Sequence, residues 1–94
     1  MTAVKTVDLP DNLTIANAES LHHDLEPLTN GTEDVILNGA DVQRADTAGL
    51  QLIYVFIQTL QKSSASVSWS GASTALLDAS EQLGLKSHLA LDSF

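Results

Sequence analysis

Apolar residues recur along this chain at two spacings, and the switches between them mark the expected elements. From Val4 to Leu9 the pattern alternates weakly, with Val4, Thr6 and Asp8 on one side and Lys5, Val7 and Leu9 on the other. That period predicts a first strand, and Pro10-Asp11-Asn12 then reads as a turn. Ala18, Leu21, Leu25 and Leu28 follow at helical spacing. Thr14 or Asn17 is the expected cap of this helix. Pro27 is its expected stop or kink, because proline lacks a donor and clashes with the preceding turn. Thr29-Asn30-Gly31-Thr32 reads as loop. Val35-Ile36-Leu37, between Asp34 and Asn38, is a short continuous apolar run. It predicts a strand buried on both faces.

Gly39 to Asp46 reads as a loop with Val42 as its inward anchor. The most apolar helix-length stretch comes next, from about Thr47 to Lys62. Leu50, Ile53, Ile57 and Leu60 form its stripe, and Leu52, Val55 and Phe56 widen it beyond one face. These residues cannot all face a sheet, so part of the surface is expected to meet a partner or a second copy of the chain. Ser63-Ser64 reads as a turn. Ala65, Val67 and Trp69 then alternate with Ser66, Ser68 and Ser70, a half-exposed strand closed by Gly71. Trp69 is expected to pack in the core or at an edge. Ser73 or Thr74 is the expected cap of a last helix lined by Leu76, Ala79 and Leu83 and stopped at Gly84-Leu85. Lys86 to Phe94 reads as a helical fragment or an edge strand. Strands alternating with helices predict an α/β fold with a mainly parallel sheet of about four strands, covered by three to four helices. At 94 residues without repeat or linker, residues 1–94 read as one domain.

The polar tip Arg44-Ala45-Asp46-Thr47 leads into the central helix. Asp46 or Thr47 can cap it, since a short side-chain oxygen accepts from the free amides of a first turn. The same amides and the helix dipole attract negative charge. Thr47 is thus a hydroxyl placed where a phosphate is expected to be welcome. The plainer reading of Asp46-Thr47 is an ordinary cap before a buried helix.

Charge and composition narrow the function. Twelve acids against four bases, Lys5, Arg44, Lys62 and Lys86, give a net charge of −8. Nucleic acids and anionic membrane surfaces require a basic face, which these scattered cations do not form. There is no cysteine, and hence no disulfide or thiolate chemistry. The start, MTAVKTVDLPDN, lacks the basic and apolar regions of a signal peptide, and no apolar run reaches membrane-span length, so the cytoplasm is the expected location. His22 and His23 are adjacent rather than four residues apart, and His88 is the remaining histidine, so no metal is expected. No nucleophile elbow and no Gly-rich phosphate loop occur; Gly39 and Gly49 stand alone. No enzyme, catalytic residue or cofactor is expected.

The segment Asp34-Val35-Ile36-Leu37, then Val42, then Ala45-Asp46-Thr47-Ala48-Gly49-Leu50, resembles the signature of STAS domains, the bacterial anti-sigma-factor-antagonist family. Leu9 to Leu21 resembles that family's first strand-to-helix turn, and LLDASEQLGL, from Leu76 to Leu85, its third helix. Three departures stand out. Asp11-Asn12-Leu13-Thr14 replaces the usual Gly-Glu-Leu/Ile-Asp turn, so the acid expected at position 14 is absent. The family's extra N-terminal strand is not expected here. Threonine stands at position 47, where the antagonists most often have serine. The resemblance implies a non-enzymatic protein-binding module, switched by phosphorylation of Thr47. Arg44, Asp46, Ala48 and Gly49 would surround the phosphate, and Leu50, Gln51, Leu52 and Val55 would meet the partner. The implied partners are a histidine-kinase-like anti-sigma factor or a chemotaxis signalling component; a homodimer uses the same face. The compact form resembles the small stand-alone members. The alternative it implies is a constitutive subunit of an ABC-type lipid-transport complex, never phosphorylated.

Overall fold

The computed structural model describes residues 4–30, 33–62 and 65–91. The expected turns at Gly31-Thr32 and Ser63-Ser64, and the last residues of the tail, lie outside these. Strand β1 (Val4–Asp8) pairs in parallel with β3 (Asp34–Gly39), and β3 in parallel with β5 (Val67–Ala72). Each parallel crossover runs through a helix, α1 (Ile15–Leu25) and then α2 (Thr47–Lys62), as a parallel pair requires. A second, two-stranded parallel sheet joins β2 (Asn12–Leu13) to β4 (Arg44–Ala45), and α3 (Thr74–Gln82) follows β5. The α/β architecture with a mainly parallel sheet is as expected, with three strands in the main sheet, in the order β1-β3-β5, and three α-helices among the described residues.

The register explains which face of the sheet is covered. Val7, Leu37 and Trp69 stand side by side, as do Val35 and Val67. With Leu50, Ile53, Ile57, Leu60 and Leu76 they build the core. On the other face Thr6, Ile36 and Ser68 are neighbours, and Ile36 is only half-buried. The expectation that β3 is buried on both faces therefore holds for one face. Polar partners on either side of Ile36 make the second a solvent-facing surface.

Helix α1 ends at Leu25 and passes into a 3-10 turn over Glu26–Asn30 that contains Pro27, as the proline predicts. Of the residues that widen α2's apolar stripe, Phe56 turns inward, Leu52 is half-buried, and Val55 is 55% exposed. Helix α3 is capped as expected by Ser73, whose side chain accepts from the Leu76 amide at 3.1 Å. Its inward stripe differs from the expected one. Leu76 and Ser80 are buried, while Leu83 is 43% exposed. Ser80 tolerates burial because its hydroxyl donates to the Leu76 carbonyl at 2.7 Å. The reason Leu83 stays out is the helix stop. Gly84 takes a φ of +70°, its amide donates to the Glu81 carbonyl, and the Leu85 amide donates to that of Ser80. This reversal sends Leu85, rather than Leu83, back against the core.

Beyond Leu85 the tail is a helical turn: the Leu89 amide donates to the Leu85 carbonyl at 2.9 Å, and Leu89 and Leu91 are buried. Trp69 fixes it by donating from Nε1 to the Leu89 carbonyl at 2.8 Å. Urea unfolding should separate the two leucines of α3. Leu76→Ala is expected to lose about 2–5 kcal/mol through the cavity it leaves. Leu83→Ala is expected to stay within about 0.5 kcal/mol of the parent.

Candidate functional site

The expected site lies at one end of the fold, where two helices begin side by side. Their adjacency is built by the backbone. The Asp11 carbonyl accepts from the amides of Gln43, at 2.7 Å, and Arg44, at 3.1 Å. Asn12 and Leu13 pair with Arg44 and Ala45, and the Leu13 carbonyl accepts from the Asp46 amide at 3.1 Å. The loops entering α1 and α2 are thereby fastened together. Val42, buried as expected, anchors the second of them. Pattern reading missed this small sheet, because two-residue strands show no periodicity.

Gly49, in the first turn of α2, lies against that junction. A β-carbon there would fall 2.1 Å from the Leu13 carbonyl oxygen and 3.1 Å from the Thr14 nitrogen. Only glycine lets α2 start this close to the β2–α1 turn. Gly49 is thus a packing requirement first, whatever it contributes around a phosphate.

Asp46 closes the arrangement. Its Oδ1 accepts from the Gly49 amide at 2.9 Å, capping α2, and its Oδ2 accepts from the Ile15 amide at 3.0 Å, capping α1. One carboxylate therefore serves two helix starts. Of the two candidates for the α2 cap, Asp46 holds the position. For α1 the expectation is corrected. Thr14 occupies the cap position with extended backbone but makes no side-chain cap bond. Asn17 lies inside the helix and donates to the Asn12 carbonyl. The acceptor comes instead from 31 residues away. The Gly49 bond, then the Ile15 bond, hold the Asp46 carboxyl below its usual range, against the opposing effect of partial burial; the Ala48 amide adds to the lowering.

Thr47 is the first residue of α2 and is exposed. Arg44 is exposed on β4, and Ala48 is half-buried. The Gly49 amide, one of those expected to receive a phosphate, already serves Asp46, so the tip holds an anion before any modification. Nor does Asp46 suit the role of proton acceptor: ionised, depressed and bonded on both oxygens, it is a weak base. Along α2, Gln51 and Val55 are exposed and Leu52 is half-buried, on the strip that continues from Thr47. Leu50 does not belong to that strip. It is 0% exposed, because its place on the helix points into the core, and it presents no side chain to a partner.

Leu52, Val55 and Phe56 instead border a groove of about 230 Å³ whose other wall is the end of α1 and the 3-10 turn after it, with His22, Leu25 and Glu26. His22 and His23 are exposed, and the His88 ring stands edge-on to Tyr54 at 5.5 Å. Among the described residues no three His, Cys, Asp or Glu side chains gather as a metal site. No helix among them is long and apolar enough to cross a membrane.

A short parallel sheet, a glycine-packed helix junction and an exposed hydroxyl after a capping aspartate are the features of this small α/β fold. A family model described as the STAS domain matches residues 2–93, and the chain belongs to that family. No curated protein sequence matches it. The family comprises regulatory and protein-interaction modules that are generally non-enzymatic.

Two measurements probe the junction. Gly49→Ala should destabilise the fold by about 1–3 kcal/mol in chemical denaturation, as overpacking does. The substitution's helix-propensity gain, about 1 kcal/mol, would predict the opposite sign if the contact did not matter. Asp46→Asn should be less stable than the parent at neutral pH. Because the folded carboxyl titrates below its unfolded value of about 3.9, its contribution is complete above that pH and is lost as pH falls through the folded value. The stability gap between the two proteins is therefore expected to narrow below about pH 4. A gap constant across that window would contradict the double cap.

Proposed function

We propose that this domain binds a protein partner through the start and outer strip of α2 and is released when Thr47 is phosphorylated. The observation that carries the reading is the exposed Thr47 directly following a carboxylate already committed to both helix starts. In the modification the Thr47 hydroxyl oxygen forms a bond to the terminal phosphorus of a nucleoside triphosphate. The bond to the nucleoside-diphosphate oxygen breaks, and the hydroxyl proton passes to a base supplied by the kinase. The added phosphate brings about −1.5 to −2 charges. Asp46 already holds the Gly49 amide, which leaves the new charge fewer donors within the domain, with Arg44 as the nearby cation in sequence. A partner packed on Gln51, Leu52 and Val55 must bury that charge unpaired, at a cost of about 2–5 kcal/mol. This corresponds to a loss of affinity of roughly a hundredfold or more.

The family supports a histidine-kinase-like anti-sigma factor, or another signalling protein that carries the kinase, as the partner. The net charge of −8 favours a basic partner surface. The test is phosphopeptide analysis of the protein recovered from its own cells, free and partner-bound. Phosphothreonine at position 47 in the free pool and its absence from the bound pool are expected. Thr47 unmodified in both pools across growth conditions would contradict the switch and favour a constitutive subunit of a larger assembly, such as a lipid-transport complex. Once the partner is in hand, Val55→Asp should weaken binding at least tenfold while leaving unfolding within about 0.5 kcal/mol of the parent, since Val55 is exposed. Leu50→Ala should instead lose about 2–5 kcal/mol of stability.

A further inference from the structure

We infer that Asp46 couples the two helix starts mechanically, so that a phosphate on Thr47 also releases the start of α1 at Ile15. This rests on the reading of Thr47 as a phosphate acceptor and adds to it a second, distant response.

Asp46 has no spare oxygen. Oδ1 is held by Gly49 at 2.9 Å and Oδ2 by Ile15 at 3.0 Å. A phosphate on the adjacent residue repels the carboxylate and, with three strong acceptor oxygens, competes for the first-turn amides of α2. The carboxylate can yield only by giving up a donor or by shifting as a unit. Gly49 is confined on the side of the β2–α1 turn, where even a β-carbon would fall 2.1 Å from the Leu13 carbonyl oxygen. The weak side of the clamp is therefore Ile15. There α1 has nothing in reserve, since Thr14 makes no side-chain cap bond of its own.

The consequence reaches the surface. Ile15 is 73% exposed, the most exposed large apolar side chain among the described residues. The clamp fixes its backbone beside the residue that precedes Thr47. The face offered to a partner thus includes Ile15 as well as Gln51 and Val55, and the same phosphate that adds charge at Thr47 unpins this apolar side chain. The chain's missing acid at position 14 gains a physical meaning here: the start of α1 depends on Asp46 alone for a side-chain cap.

The test uses the isotope-labelled full chain with phosphothreonine installed at position 47 during synthesis, compared with the unmodified chain. The Ile15 amide resonance is expected to move toward its position in Asp46→Asn, and its hydrogen exchange to quicken at least tenfold, while amides in the middle of α2 keep their protection. Should Asp46→Asn not fold, the acid limb of a titration of the unmodified chain supplies the reference position. An Ile15 resonance and exchange rate unchanged by the phosphate, with Gly49 alone shifting, would overturn the coupling and leave the Thr47 switch standing. Conversely, a chain never phosphorylated in its cells would overturn the switch, while this response would still be measurable in the synthetic protein.

Discussion

Everything at the functional end of this domain depends on one carboxylate divided between two helices. Asp46 satisfies an orphan amide at the start of α1 and another at the start of α2. The division is possible because β2 and β4 bring the two entering loops into register, and because Gly49 allows α2 to rest on the Leu13 backbone. Were Gly49 any other residue, the helix starts would move apart and a single side chain could not reach both. The Asp-Thr-Ala-Gly sequence is therefore a geometric unit as much as a chemical one.

In the proposed switch, that geometry decides what a phosphate at position 47 would meet. A helix start with unfilled amides would accept a phosphate and be stabilised by it. Here the Gly49 amide is already occupied by the residue that precedes position 47, so a phosphate there would meet a carboxylate beside the first-turn donors. Under the proposed switch, the same physics that stabilises the unmodified domain would make the modified tip a poor surface for a partner. The rest of the fold serves as a rigid mount. The core face of the sheet packs against α2 through Leu50, Ile53 and Ile57, leaving Gln51 and Val55 outward and holding the strip in line with Thr47.

Much of this was legible in the amino-acid order, for identifiable reasons. The strands, the three helices and the core positions of α2 follow from periodicity, and the stop at Gly84 and the cap at Ser73 follow from local backbone chemistry. Three features were not legible. The cap of α1 comes from Asp46, a contact across 31 residues that no local rule contains. The β2–β4 pair is too short to leave a pattern. Leu83 continues the apolar spacing of α3 but lies where the chain has already begun to reverse, so Leu85, half-buried, packs against the core in its stead. In the site itself, Thr47 and Asp46 were found by residue type and position. Leu50 was assigned to the partner face through its neighbours in the motif although its spacing put it on the apolar stripe, and the packing decides for the stripe.

The most direct measurement is a titration of the Asp46 carboxyl followed by nuclear magnetic resonance, with the amides of Ile15 and Gly49 observed in the same experiment. The account predicts a midpoint below the ordinary aspartate range, with both amides moving together at that midpoint. An ordinary midpoint, or an Ile15 amide indifferent to Asp46 protonation, would contradict the shared clamp on which the switch and its coupling are built.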